Sequence, residues 1–134
     1  MRYRDAIVAG SWGAALSGLP STLHALATGR DPLEATKAAG SILRPGETRT
    51  LPLLAAAVPV HLALSIAWAL ALERAGIRGA LRGASAGVAI AALDLGVIGR
   101  RFPRVRALPP VPQVADHLAY GAVSGFVRGR RSRD

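Results

Sequence analysis

The chain of 134 residues contains no cysteine, and aromatic side chains make up only 4% of it. Without cysteine there can be no disulfide framework, no thiol nucleophile and no cysteine zinc site, and the redox compartment stays open. Acidic residues are also few, since eight Asp and Glu stand against seventeen Lys and Arg, a formal charge of +9. In a soluble protein that balance favours a nucleic acid partner. Here the arginines flank apolar stretches, so we expect anionic lipid headgroups as the partner and no nucleic acid.

Formal charge is missing from several long stretches of the chain. Residues 51–72 form a run of twenty-two positions without Asp, Glu, Lys or Arg. A helix of that length spans roughly 30 Å, the thickness of the hydrocarbon core of a bilayer. So short a chain has little else with which to bury such a helix, and we interpret the run as a transmembrane span. Residues 6–28, 77–99 and 111–127 are three further candidate spans.

The first candidate span has a rival interpretation. Ala25-Leu26-Ala27 resembles the small-x-small site of a cleaved signal peptide. Asp5, Trp12, Pro20 and His24 are unusual in a signal sequence and favour a retained span. Whether this segment is cleaved stays open at this point.

The connection after the first span has helical order of its own. Asp31, Pro32 and Glu34 stand where a helix cap and first turn are expected. Small and apolar residues then recur at helical spacing on one side as Ala35, Ala38, Ala39 and Ile42. This pattern predicts a short amphipathic helix, either lying at the membrane interface or solvated and packed on nothing. Prolines at 103, 109 and 110 indicate that no helix crosses the third connection.

Glycines recur at helical spacing on three of the candidate spans. In lipid such a stripe lets a neighbouring backbone approach closely, either within one chain or between subunits. The predicted packing positions are Gly10, Gly13, Gly79, Gly83, Gly87, Gly121, Gly125 and Gly129.

Each candidate span also carries an ionisable residue, which is costly in hydrocarbon and therefore a functional hypothesis. Counted along the spans, all of them fall in the half of the membrane away from the termini. Tyr120 lies one turn after Asp116 and is a candidate hydrogen-bond partner for it. The predicted polar cluster comprises His24, His61, Asp94, Asp116, His117 and Tyr120.

Three interpretations of this cluster compete. The side chains can be polar glue that fixes the register of the helices. They can form a site for a proton, an ion or a small solute, because histidine titrates near neutral pH and a carboxylate tunes it. A metal or haem site built from His24, His61, His117 and Asp94 is the third, but no local ligand spacing supports it. We therefore expect no metal and no cofactor.

The one apparent enzyme motif lies in a structural context that does not suit it. Residues 83–87 match G-x-S-x-G, but a nucleophile elbow needs a preceding strand, and this segment lies in an expected membrane helix. No Walker A, H-E-x-x-H or G-x-G-x-x-G pattern occurs. We expect a protein that is not an enzyme.

The phrases GRDPLEATKAAGSIL and HLAYGAVSGFVRG make the chain resemble the small, Gly/Ala-rich four-span bacterial membrane proteins of unknown function. The expected fold is all-α, a single domain over residues 1–134 forming a four-helix transmembrane bundle with a short interfacial amphipathic helix between the first two spans. This implies a multi-pass protein of the bacterial cytoplasmic membrane. Lys and Arg counts differ little between the two sides, and the aromatic residues favour cytoplasmic termini.

Two functions follow from these features. The first is a structural or accessory membrane protein that forms a homo-oligomer or joins a larger membrane complex through its glycine stripes. The second is a small transporter or a proton or ion conduit that uses the intramembrane His and Asp residues.

Overall fold

The structure is a computed structural model that describes residues 3–131, and every regular element in that range is helical. The all-α prediction is confirmed. The elements are α1 (Tyr3–Leu16), α2 (Leu19–Ala27), α3 (Glu34–Gly40), α4 (Thr50–Arg74), α5 (Ala80–Leu93), a π-helical turn (Asp94–Ile98), a 3₁₀ turn (Gly99–Arg101), α6 (Pro103–Arg106) and α7 (Pro110–Arg131).

Two of the described helices are long and apolar enough to cross a membrane. They are Thr50–Arg74 and the combined stretch Ala80–Arg101. The first candidate span does not qualify because it is broken into α1 and α2 at Ser17 and Gly18. Pro20 follows the break, and its ring nitrogen has no hydrogen to donate to the preceding turn. The sequence had suggested one continuous helix here.

The short connecting helix α3 packs against the rest of the protein and is not a solvated helix. Ala38 and Gly40 of α3 are buried, and the Gly40 backbone lies against the backbone of Leu53 in α4. Asp31 accepts the backbone N–H of Leu33 at 2.8 Å, a cap-like bond, although the α-helix itself begins at Glu34. The third connection contains the single turn α6, which the prolines had led us not to expect.

The helices pack around α7. It contacts α1, α2 and α5, while α4 packs against α1 and α3. Although α4 and α5 are joined by a short connection, they barely touch. The bundle is therefore open between these two helices.

Glycines let α5 and α7 approach backbone to backbone. Gly79 donates its N–H to the carbonyl of Gly125 at 2.8 Å, across two helices. A Cβ on Gly83 would overlap the carbonyl of Gly121, and one on Gly87 would overlap that of His117. Gly129 faces Gly79 at the end of the same contact. The two glycine stripes are thus packed against each other inside one chain.

The glycines of α1 fit two other neighbours. A Cβ on Gly10 would come within 2.9 Å of Ala69 Cβ in α4. One on Gly13 would come within 2.6 Å of Ser124 Oγ in α7. Gly79 differs, because its φ of +88° requires glycine while no atom crowds its missing Cβ.

Small and polar residues fill the interior, and large apolar side chains face outward. The largest fully buried side chains are Arg128, Leu53 and Ser124. Each long helix exposes bulky apolar groups, among them Ile7, Leu23, Val58, Leu62, Leu81, Val88, Val111 and Phe126. Large apolar side chains such as Leu72 and Ile90 are also buried, but the exposed ones are more numerous.

Ion pairs join the helices at both ends of the bundle. At the terminal end, where α1 begins and α7 ends, Arg131 pairs with Asp5 at 2.8 Å and Arg128 pairs with Glu73 at 2.5 Å. At the loop end, which holds α3 and α6, Arg104 donates from Nε to Glu34 at 2.7 Å. The four long helical segments therefore run alternately up and down between two ion-paired ends.

The close approach of α5 and α7 predicts a large difference between two glycine substitutions. Gly83→Ala places a methyl group into the Gly121 carbonyl and should cost about 1–3 kcal/mol, as overpacking does. Gly18→Ala is the control, because Gly18 has helical dihedrals and open space around its missing Cβ. Unfolding of both variants in detergent measures the difference, and equal stability would contradict the contact.

The burial of Arg128 predicts that two arginine substitutions will differ in their cost to stability. Its guanidinium is 2% exposed and bonds both Glu73 and the Ile77 carbonyl, so Arg128→Met leaves Glu73 partly uncompensated and should cost about 3–5 kcal/mol. Arg130 is exposed and stacks over Phe126 at 5.6 Å, so Arg130→Met should cost less than about 1 kcal/mol. Denaturant titration in the same detergent compares them, and similar losses would contradict the assignment.

The loop-end ion pair predicts a dependence on pH. The hydrogen bond from Arg104 lowers the pKa of Glu34 below its usual 4.5. A lowered folded-state pKa gives stability above the unfolded-state value, lost as pH falls below about 4.5. Because Glu34 is well exposed, the contribution should stay below about 1 kcal/mol. The difference in stability between the wild type and Glu34→Gln, measured from pH 6 to 3, should shrink as the pH falls; a constant difference would refute this.

Candidate functional site

A cavity of about 520 Å³ lies at the centre of the bundle, bounded by the α1–α2 break, α3, α4, the π-helical turn, α6 and α7. We call it the central cavity. Most of its wall is apolar. Its polar and aromatic lining comprises Ser17, Ser21, Thr22, Thr36, His61, Ser65, Trp68, Asp94, Phe102, Gln113, Asp116, His117 and Tyr120.

Asp94 lies at the first position of the π-helical turn. Its Oδ2 accepts hydrogen bonds from Trp68 Nε1 at 3.0 Å and from His117 Nε2 at 3.3 Å. The other oxygen, Oδ1, is buried without a hydrogen-bond partner. Single π-helical turns are frequent at functional sites because they re-aim side chains. Here the turn joins α4, α5 and α7 through one carboxylate.

His117 carries a proton on Nδ1. That nitrogen lies 2.8 Å from the carbonyl oxygen of Gln113, which can only accept. Its Nε2 lies 3.3 Å from Oδ2 of Asp94, so a hydrogen on Nε2 would be donated to the carboxylate. With that hydrogen in place the pair is an imidazolium and a carboxylate and has no net charge.

Asp116 caps the N-terminus of α2. Its Oδ1 accepts the backbone N–H of Ser21 at 2.8 Å, a group freed by the helix break before Pro20. A carboxylate is favoured there by the positive end of the helix dipole. The expected bond to Tyr120 is not formed, because the Tyr120 hydroxyl donates to the Ser65 carbonyl of α4. The break that sequence reasoning missed is thus what provides the partner of Asp116.

The two remaining histidines make no hydrogen bond to this group, although His61 lines the same cavity. His61 is exposed on α4, and its Nε2 donates to the Ala14 carbonyl at 2.9 Å, so its Nδ1 remains available to a proton. His24 lines a separate cavity of about 300 Å³ at the loop end, beside Glu34 and Arg104. Within residues 3–131 no three His, Asp or Glu side chains are placed to hold a metal. The three histidines are therefore not grouped as three ligands of one metal ion.

An apolar layer closes the central cavity toward the terminal end. Tyr120 packs with Leu72 and Ile90, and Trp68 and Ile77 pack against them. Beyond this layer lies the buried ion pair of Arg128 and Glu73. Toward the loop end the wall consists of the short elements α3 and α6. The polar groups therefore occupy the loop-end side of the apolar layer.

The charge inside the central cavity is opposite to that of the whole chain. Asp94 and Asp116 both line it, while none of the Lys and Arg side chains in the described part of the chain does. The sequence identified the His and Asp residues but missed Trp68, Ser21 and Gln113. Tryptophan's single N–H needs a partner when it is buried, which was the one available signal for Trp68.

Comparisons of this chain with protein-family models, with curated proteins and with solved structures found no match.

Proposed function

We propose that the chain is a four-span integral membrane protein that moves protons, together with or against a small solute, through the central cavity. Its spans are α1 with α2, α4, α5 with its π-helical turn, and α7. The observation that carries the proposal is that two carboxylates and two imidazoles from three helical segments line one shared cavity. Such groups are costly at membrane depth, and in membrane proteins they mark proton relays and solute paths.

The outward-facing apolar side chains support lipid as the surrounding solvent. In the most apolar window of α4 only 33% of residues are buried, and in that of Ala80–Arg101 only 22%. A soluble core helix of this composition would be mostly buried. At about 1.5 Å per residue, α7 and the α1–α2 segment are also long enough to cross the hydrocarbon core.

The arginines at both ends support contact with anionic headgroups. Most acidic side chains at the ends are already paired, as are Asp5, Glu34, Glu47 and Glu73. The excess positive charge is thus left for phosphate groups of lipid. We place the protein in the bacterial cytoplasmic membrane with both termini on the cytoplasmic side.

Polar glue accounts for only part of the site. The bonds of Asp94 to Trp68 and of Asp116 to Ser21 do fix helix register. Glue by itself favours tight packing, because voids remove contacts and destabilise. A cavity large enough for a small ligand beside these bonds instead favours a binding or transport role.

A structural or accessory role is the second candidate function. The glycine stripes, which were its main support in the sequence, no longer favour it. The stripes on α5 and α7 are already packed against each other within the chain. A second copy or a larger complex would have to bind another surface, and the open side between α4 and α5 is the one that favours this role.

Reconstitution in liposomes tests the proposal. Liposomes loaded with a pH-sensitive dye receive a K⁺ diffusion potential and, in separate runs, a small cationic, anionic or neutral aromatic solute. Proton movement should exceed that of protein-free liposomes with at least one solute. Asp94→Asn and Asp116→Asn should return it to the protein-free rate, because each removes a proton acceptor from the cavity.

Glu47→Gln is the matched control. It neutralises a carboxylate that pairs with Arg49 outside the helices, so proton movement should be unchanged. If the wild type never exceeds protein-free liposomes, or if the cavity variants move protons as fast as the wild type, the transport proposal is wrong.

A further inference from the structure

We propose that the solute is a small monovalent organic cation with an apolar body, which occupies the central cavity in exchange for a proton. This inference rests on the proposed function and names its substrate class. It is argued from charge, from the lining of the cavity and from the hydrogen bonds already assigned.

Charge is the first argument. The Asp94–His117 pair has no net charge when Nε2 of His117 donates a hydrogen to Asp94. Ionised Asp116 then carries the remaining negative charge in the cavity, and the Ser21 N–H at the N-terminus of α2 compensates it only in part. No arginine or lysine among the described residues reaches the cavity to neutralise it. A carboxylate beside a mostly apolar wall favours a positively charged partner.

The wall of the cavity determines what kind of cation fits. Apolar side chains dominate it, and Trp68 and Tyr120 add aromatic faces. An inorganic cation would have to exchange its water shell for these groups, and the described residues offer no group of three His, Asp or Glu side chains that would replace the water. An organic cation loses little hydration and gains apolar contact and attraction to the aromatic faces.

The unpaired oxygen of Asp94 provides the second polar contact. Its Oδ1 is buried without a partner, which is a costly arrangement in an apolar interior. Rotation of the carboxylate exchanges this oxygen for the one that bonds Trp68. A cation that enters beside Asp94 compensates the unsatisfied oxygen, and the Trp68 indole reports the change.

Competition with a proton follows from the same groups. The titratable side chains that face the cavity are His61 from α4, Asp94 from the π-helical turn, and Asp116, His117 and Tyr120 from α7. A proton on Asp116 cancels the charge that holds the cation. A cation that enters a site protonated on Asp116 therefore releases that proton to water, and binding strengthens as pH rises.

The experiment uses the natural tryptophan as the reporter. The chain has two tryptophans, so Trp12→Phe leaves Trp68 as the only one, and Trp12 is more than half exposed. The purified protein in detergent is titrated with benzyltrimethylammonium and, separately, with phenylmethanesulfonate. These probes share a benzyl body and carry opposite charges. The cation should bind at least about tenfold more tightly than the anion.

Proton release is the second measurement. In weakly buffered detergent, the cation should release about one proton per molecule bound, and its apparent affinity should rise about tenfold per pH unit while the proton competes. Asp116→Asn should weaken binding at least about tenfold and abolish the release, since it removes the remaining negative charge. Glu47→Gln should leave affinity and release unchanged.

Three results would overturn the inference. They are equal or tighter binding of the anion, cation binding with no proton release at any pH, and full-strength cation binding by a folded Asp116→Asn variant. Folding of the variant is established by its helical circular dichroism.

The liposome and detergent measurements distinguish failure of the cation inference from failure of the proton-transport proposal. If protons move in liposomes only with the anionic or neutral solute, the cation is the wrong substrate class while proton transport stands. If the cation binds and releases a proton in detergent but no proton crosses the liposome membrane, the cation site stands and the transport proposal fails.

Discussion

The direct backbone contact between α5 and α7 is the constraint on which the rest of the structure depends. With glycine on both helices, no side chain separates Gly83 from Gly121, and Gly87 lies against the backbone of His117. Asp94 follows Gly87 by about two helical turns, at the start of the π-helical turn that continues α5. The glycine contact therefore fixes the distance at which Asp94 meets His117, and any side chain added there would move the carboxylate away from its partners.

The small residues at the helix contacts also explain how so short a chain keeps polar groups inside. Ala, Gly and Ser at the helix contacts let backbones approach and leave carbonyls within reach of side-chain donors. Tyr120 donates a hydrogen bond to the Ser65 carbonyl, His61 donates to the Ala14 carbonyl, and Arg128 donates to the Ile77 carbonyl. Large apolar groups are not needed inside and face outward instead. An interior stabilised by close packing and internal hydrogen bonds suits a surrounding solvent that is itself apolar.

Sequence periodicity predicted the features that depend on local spacing. The helices, the glycine stripes and the candidate polar residues could all be read from it. It could not predict the break at Ser17 and Gly18, because an uncharged stretch with Pro20 also suits a continuous membrane helix. Periodicity also could not predict that Trp68 bonds Asp94 or that His24 lies away from His117. Those outcomes depend on which helices touch, and the sparse contact between α4 and α5 has no signature in either helix alone.

That sparse contact, together with two irregular turns, creates the central cavity. Tight packing of α4 on α5 would fill the space with side chains, but α4 is held away on α1 and α3. The helix break frees an N–H for Asp116, and the π-helical turn aims Asp94 inward. Irregular backbone is tolerated at membrane depth only where it is buried in protein or lines a cavity. Both irregularities lie on the wall of the same cavity, so the costly backbone and the costly side chains occur at one place. Under the proposed function, both irregularities would serve the occupant of the cavity as well as the packing of the bundle.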